Sequence, residues 1–414
     1  MSERCPVHHV SFSQPDVQSD IGPFAKRLLE ERVYIDPITN LAVVSHYEDI
    51  AYVSAHPELF SNRMSTRPSA KSKEGAAQEL KLVQRYAERG FLPFDTLVTN
   101  DPPSHTSYRK IVDKIFTPAT VQKFEAEIRT IVDELIDEIG PKGSADMMAD
   151  FSIKVPLFFI MSHLGVDRSN WRRVKTWADT AIESINPTID PDRELEIADI
   201  QIEMQQFINA SATTFEANPA PTILSLLQHA EVDGERLDRA ALVNIASQIF
   251  VAGHETTGGL IGNGLYMLLN DPALMQRLKA EPDKVSAFVE EVLRVNPPIP
   301  HRIRLVAQDT ELHGVKLKAG SMLLMSLISG NLDPDKFTDP DEVSLDRRNG
   351  RQHLTFGQGI HYCIGNIVAR AEARIAFQQV LARLPNIKLD ETAPPPKWAL
   401  SFQAHTLANL SVTF

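Results

Sequence analysis

The feature that most restricts how this chain can fold is one long, largely apolar stretch, from Asp238 to the stop at Asn270-Asp271-Pro272. Asp238 suits an N-cap and Pro272 cannot continue a helix, so the stretch reads as a single helix of roughly 50 Å at about 1.5 Å per residue. A helix of that length crosses a whole domain, and the rest of the chain has to pack around it. Inside it stand Gly253, Gly258, Gly259, Gly262 and Gly264, each costing about 1 kcal/mol relative to alanine. Close packing against neighbours compensates for the later glycines. It explains Ala252-Gly253-His254-Glu255-Thr256-Thr257 less well, because there an acid and two hydroxyls follow a small pair. A threonine in a helix can bond a carbonyl one turn back and open the ladder, which lets water or a ligand in beside Gly253.

Helical spacing of apolar residues dominates from about Pro118 to Leu293, with breaks at Gly140-Pro141-Lys142-Gly143, Asn186-Pro187 and Asn218 to Pro221. Short β-like runs occur near Val33-Tyr34-Ile35, Leu41 to Val44, Ile303 to Val306, Met322 to Ile328 and Leu410 to Phe414. The expected class is mainly α with small β elements. No Gly-x-Gly-x-x-Gly follows a strand, so electrons for any redox chemistry come from elsewhere. Nothing marks a domain boundary, and the expectation is one domain over 21–414 behind a mobile tail, 1–20.

At 43% hydrophobic and 23% charged residues the chain is globular, and its net charge of −12 argues against nucleic-acid binding. No run of about 18 uncharged apolar residues occurs and the N-terminus lacks a signal peptide's apolar stretch, so a cytoplasmic protein without membrane insertion is expected. Cys5 and Cys363 are too few for a disulfide framework and neither belongs to a Cys-x-x-Cys pair. Cys5 with His8 and His9 reads as part of the solvated tail.

Cys363 lies in Phe356-Gly357-Gln358-Gly359-Ile360-His361-Tyr362-Cys363-Ile364-Gly365. Three glycines around one thiol describe a backbone that turns tightly and comes close to the sulfur. The spacing of Phe356, Gly359, Cys363 and Gly365 resembles the cysteine loop of the cytochrome P-450 superfamily, in its soluble bacterial form. That resemblance implies the single haem domain of that fold, haem b as cofactor, and Cys363 as the axial thiolate of its iron. It places Phe356, Gly357 and Gly365 against the haem. The Ala252 to Thr257 segment is similar to the family's oxygen-binding kink, which implies that Thr256 hydrogen-bonds the oxygen being activated and Glu255 relays protons. Cleaving an O–O bond heterolytically takes two protons at the distal oxygen, and a hydroxyl backed by a carboxylate supplies a path.

Further residues match in order. Glu291 and Arg294 resemble the family's Glu-x-x-Arg brace, whose third partner is here Arg347 or Arg348, because Leu332 stands where the family commonly has arginine. His105 and Arg109, spaced i, i+4 on a helix opened by Asp101-Pro102-Pro103, resemble propionate donors, as do His361 and Arg304, five residues before Asp309. Arg302 points to the same side of its strand as Arg304, so the choice between them stays open. By position Phe94, Ala252, Gly253, Ile299 and Phe402 line an apolar substrate pocket covered by the stretch from Arg63 to Val98.

The implied reaction is monooxygenation of a small-to-medium hydrophobic compound with dioxygen. Electrons would come from a ferredoxin and its reductase, or another reductase, with Lys110, Lys114, Arg370 and Arg374 as a docking patch. A peroxide-driven peroxygenase or hydroperoxide-rearranging enzyme on the same fold is the alternative within enzymes, and the acid-threonine pair speaks against it. A non-catalytic haem sensor is the alternative outside them.

Overall fold

The structure, a computed structural model, describes residues 10–63, 73–184, 189–401 and 403–414. Two compact units are distinguished by their contacts: Met1–Asn62, Lys123–Val155 and Thr256–Phe414 form the first, and Arg63–Gln122 with Pro156–Glu255 form the second. No composition change announces the division, which falls inside the long helix.

A five-stranded sheet anchors the first unit: β1 (Val33–Ile35), β2 (Ala42–Val44), β3 (Phe60–Ser61), β4 (His301–Val306) and β5 (Met322–Ser326), in the order β1-β2-β5-β4-β3. The β2-β5 pair is parallel and the other three are antiparallel. Because strand side chains alternate, the sheet buries both faces. Leu323 and Met325 join Val44, Tyr47, Ile50 and Phe337 on one side, while Leu324 joins Phe12, Phe24, Leu28, Tyr34 and Val43 on the other. The strand-like run read to Ile328 ends at Ser326, where the chain turns into the short helix Leu327–Asn331.

The N-terminal segment corrects one expectation. From residue 10 the chain is packed rather than mobile: Phe12 and Val17 are buried, Pro15–Ser19 is helical, Ser11 Oγ donates to Asp36 at 2.9 Å, and Tyr34 Oη donates to the Val10 carbonyl at 2.5 Å. Two isolated apolar residues in a polar stretch carry no period, so only their tertiary partners reveal them. Cys5, His8 and His9 lie outside the described residues.

The long helix spans Arg239–Asn270. Asp238 caps it by accepting the Ala241 amide at 2.7 Å, and Asp271 caps the next helix, Pro272–Ala280, through the Leu274 amide at 3.0 Å. Its glycines divide as the sequence suggested. A Cβ on Gly258 would lie 3.1 Å from the Ser152 carbonyl oxygen, on Gly259 2.4 Å from Thr406, on Gly262 2.1 Å from Met148, and on Gly264 2.3 Å from Phe377. A Cβ on Gly253 would meet no atom within 4 Å.

The second unit is helical. Helices Trp171–Glu183 and Pro191–Ala217 pack through Trp177 on Phe207, with ring centroids 5.6 Å apart. Helix Lys73–Arg89 occupies much of the stretch from Arg63 to Val98 expected to cover the substrate pocket, and Arg85 and Arg89 pair with Asp199. Among the described residues no helix is long and apolar enough to cross a membrane.

Candidate active site

The cysteine loop is built by two glycines in left-handed backbone. Gly357 has φ of 71° and Gly359 of 69°, conformations that side chains with a Cβ disfavour. Gly359 is further confined, since a Cβ there would stand 2.6 Å from the Ser54 carbonyl oxygen. The turn closes through the Cys363 amide, which donates to the Phe356 carbonyl at 2.8 Å, and Gln358 Nε2 ties it to Tyr47 Oη at 2.8 Å. Gly365 differs: its φ is −79°, and a Cβ would meet no atom within 4 Å. Neither backbone conformation nor crowding therefore requires glycine here, and a side chain would enter open space. Helix Asn366–Arg383 starts three residues after Cys363, so its positive end favours a thiolate.

A network that sequence reasoning missed supports the loop. Phe356 lies under the Arg370 guanidinium, 4.5 Å from its ring centroid. Arg370 pairs with Glu290 at 2.7 and 3.0 Å, and Glu290 also faces His353 at 3.2 Å. Burial pushes the Glu290 carboxyl up, but hydrogen bonds from His353 and Arg370 outweigh it and hold the pKa at about 2. Burial lowers the His353 pKa, partly offset by Glu290. The available signal was a second acid beside Glu291 on a helix, Val285–Val295, whose residues Phe288 to Arg294 are all buried. Arg374 pairs with Glu125 at 2.7 Å, so two of the four cations assigned to a docking patch are instead engaged within this unit.

Glu291 and Arg294 meet in a fork of 2.8 and 2.9 Å, with both side chains almost fully buried. Arg347 is the third partner, its Nε 3.0 and 3.2 Å from the same carboxylate, whereas Arg348 is exposed. The Ser344 amide also donates to Glu291 at 2.8 Å, and Arg294 donates to the carbonyls of Asn331, Pro340 and Glu342. Leu332 is buried in the apolar core. The brace thus holds the chain that leads into the cysteine loop, and Asn331 extends the tie by accepting the Leu354 amide at 2.6 Å.

On β4, Arg304 is buried and donates to the Ile303 carbonyl at 3.0 Å, while Arg302 lies close enough to Cys363 for their charges to interact. His361 and Ile299 are half-buried. A haem on Cys363 needs a close planar approach and cations for its propionates. The space at Gly365, the cations on β4 and His361 fit that requirement.

In the second unit, helix Ser104–Asp113 carries His105, which is buried, and Arg109, which pairs with Asp113 at 2.8 Å. Burial lowers the His105 pKa, and Arg109 lowers it further. Phe94 is exposed and approaches Tyr108 with centroids 6.4 Å apart. Ala252 and Gly253 have accessible surface in mid-helix. Burial raises the Glu255 pKa; Asp179 adds to the rise, and Lys175 acts against it. Those two pair at 2.7 Å, and Asp179 is 52% exposed, so an acid in contact with water stands behind Glu255. His254 stacks on Phe250 and burial lowers its pKa to about 4, which leaves it neutral. Thr256 is half-buried. Phe402 lies outside the described residues.

Comparison with known proteins agrees with this geometry. The family model described as cytochrome P-450 matches residues 73–407. Cytochrome P-450 CYP107DY1 of Priestia megaterium is 30% identical over 91% of this chain and 92% of its own length. A steroid C26-monooxygenase of Mycobacterium tuberculosis is 30% identical over 84% of this chain and 88% of its own. The solved structure of cytochrome P-450 CREJ, in complex with (4-ethylphenyl) dihydrogen phosphate, superposes with a TM-score of 0.86 at 28% identity, covering 98% of this chain and all of that one. With its thiol loop, its brace and an unbroken long helix that carries Glu255 and Thr256, the chain belongs to the cytochrome P-450 family, as a monooxygenase whose cofactor is haem b.

Proposed function

We propose that the protein inserts one atom of dioxygen into a small-to-medium hydrophobic substrate, by hydroxylation or epoxidation, with electrons from a ferredoxin and its reductase or an equivalent donor. The observation that carries this reading is Glu255, a carboxyl made a weaker acid by burial and by Asp179, next to Thr256 on a helix whose Gly253 faces open space. When bound, haem supplies the redox chemistry of oxygen activation. Cys363 would hold its iron, Phe356, Gly357 and Gly365 would lie against it, and His105, Arg109, Arg304 and His361 would bind its propionates. Glu255 holds a proton more readily than an ordinary carboxyl, passes it to Thr256 Oγ1, and is recharged from water through Asp179. Phe94, Ala252, Gly253, Ile299 and Phe402 orient the substrate and exclude water. One relative is named a steroid monooxygenase, which makes steroids a first compound class to try. The working unit is one haem domain in the cytoplasm.

The deciding experiment supplies reduced nicotinamide, a ferredoxin, its reductase and isotopically labelled dioxygen to holoprotein that shows the thiolate-type carbon monoxide spectrum. One labelled oxygen per product supports the reading. Product formed only with hydrogen peroxide would replace it with the peroxygenase alternative.

A further inference from the structure

Asn263 is fully buried in the long helix, between Gly262 and Gly264. An amide in the interior of a buried helix is unfavourable unless it is hydrogen-bonded. Asn263 Nδ2 donates twice, to the Asn296 carbonyl at 3.1 Å and to the His405 carbonyl at 2.9 Å. Neither acceptor belongs to a helix or a strand. Asn296 follows helix Val285–Val295, and His405 lies in the bend between strands Lys397–Trp398 and Leu407–Asn409. The two segments are also joined to each other, since the His405 amide donates to the Pro298 carbonyl at 2.8 Å. One side chain thus ties the long helix to two irregular segments that lie 33 and 142 residues away.

Thr256, Gly259, Asn263 and Tyr266 follow one another at spacings of three and four, so they share a face of the helix. Contacts along this face set the level of each segment. Tyr266 meets Trp398 edge-on with ring centroids 5.8 Å apart, and Trp398 stacks on His405 at 3.8 Å. At Gly259 the helix backbone comes so close that a Cβ would stand 2.4 Å from Thr406 and 3.0 Å from Pro298. Asn296 therefore lies level with Asn263, and Pro298 about one turn nearer Thr256. The segment runs toward Thr256, and Ile299 is its next residue. Pro298 and Pro300 are buried, whereas Ile299 keeps accessible surface, as Thr256 does. The Pro300 carbonyl accepts the Ile328 amide at 3.0 Å, so the span 296–300 is held at both ends with Ile299 between the anchors.

We propose that Asn263 is a positioning residue of the monooxygenase site: its amide sets where Ile299 stands along the helix face that presents Thr256, and so how closely an apolar ligand is confined beside that hydroxyl. This deepens the monooxygenase reading and rests on it. Asn263 acts through the span and not by contact with the ligand. A side chain without donors leaves the Asn296 and His405 carbonyls without this tie to the helix, and the span is then free to shift.

Spectral titrations of the holoprotein with imidazole and 4-phenylimidazole, whose ring nitrogen binds haem iron, measure that confinement as the ratio of the two affinities. Wild type is expected to favour the phenyl compound by at least about tenfold, the gain from burying an apolar ring. Asn263→Leu, close in size but without donors, should change the ratio by about five- to thirtyfold, and Asn263→Ser, which keeps one donor, by less. Gly264→Ala overpacks Phe377 from another face of the same helix and should leave the ratio within about twofold of wild type. In an Ile299→Ala background, adding Asn263→Leu should change the ratio by less than about twofold, because the residue through which Asn263 acts is gone. No phenyl preference in wild type, an unchanged ratio in Asn263→Leu, an equally large shift in Gly264→Ala, or equal shifts with and without Ile299 overturns the proposal. Loss of haem from both Asn263 variants does the same, since it makes Asn263 a residue of the fold alone. Failure of the monooxygenase reading itself appears separately, as a reduced wild-type protein without the thiolate-type carbon monoxide spectrum.

Discussion

Two glycines of the cysteine loop have the same residue type for opposite reasons. Gly359 is left-handed and pressed against the Ser54 carbonyl, so Gly359→Ala should destabilise the protein by at least about 2 kcal/mol in a urea titration. Gly365 is neither, and Gly365→Ala should stay within about 0.5 kcal/mol of wild type while lowering haem affinity, because the added methyl would enter the open space where the haem is proposed to lie against this residue. Equal stability losses in the two variants would contradict this division. Thr256→Ala is expected to retain haem and substrate binding and to release more peroxide per electron consumed, since the relay loses its last hydroxyl. Unchanged coupling of reduced nicotinamide to product would mean that protons travel by another route. At this scale the motif residues were legible because their chemistry is local. The choice of Arg347 over Arg348 was not, because adjacent arginines differ only in which way the folded chain points them.

The long helix shows how one element serves two purposes. Its C-terminal half presses backbone against neighbours through Gly258, Gly259, Gly262 and Gly264, while Gly253 opens onto space. Gly253→Ala should therefore stabilise the protein by about 1 kcal/mol, the helix-propensity gain, while weakening the binding of bulky ligands. Gly259→Ala should instead destabilise it by about 1–3 kcal/mol, because the new methyl would overlap Thr406 and touch Pro298. Thermal melts of both variants test the pair, and the same sign in both would refute the assignment. The helix was legible down to its caps, since Asp238 and Asp271-Pro272 act on their own backbone. The N-terminal segment was not, because Phe12 and Val17 are held by strands and helices distant in sequence.

For the whole molecule, acid stability depends on the buried network behind the cysteine loop. The Glu290 pKa is about 2 against an ordinary 4.5, so the folded state binds its proton less readily than the unfolded chain does. Its contribution is complete above pH 4.5 and is lost as the pH falls from there through about 2. Glu290→Gln should be less stable than wild type at neutral pH by about 3 kcal/mol, having left Arg370 without its carboxylate, and should lose less on acidification. Urea unfolding at several pH values measures both effects, and parallel stability curves for the two proteins would exclude the network as the cause.

By itself the sequence determined the class, the long helix, the thiol loop, and the acid and hydroxyl beside Gly253. Each of these rests on spacing along the chain or on chemistry within a few residues, which a linear text preserves. Tertiary structure alone decided that Arg347 completes the brace and that Glu290, His353 and Arg370 support Phe356. Burial and pairing of charges depend on groups tens to hundreds of residues apart, and only the folded chain brings those groups within reach of one another.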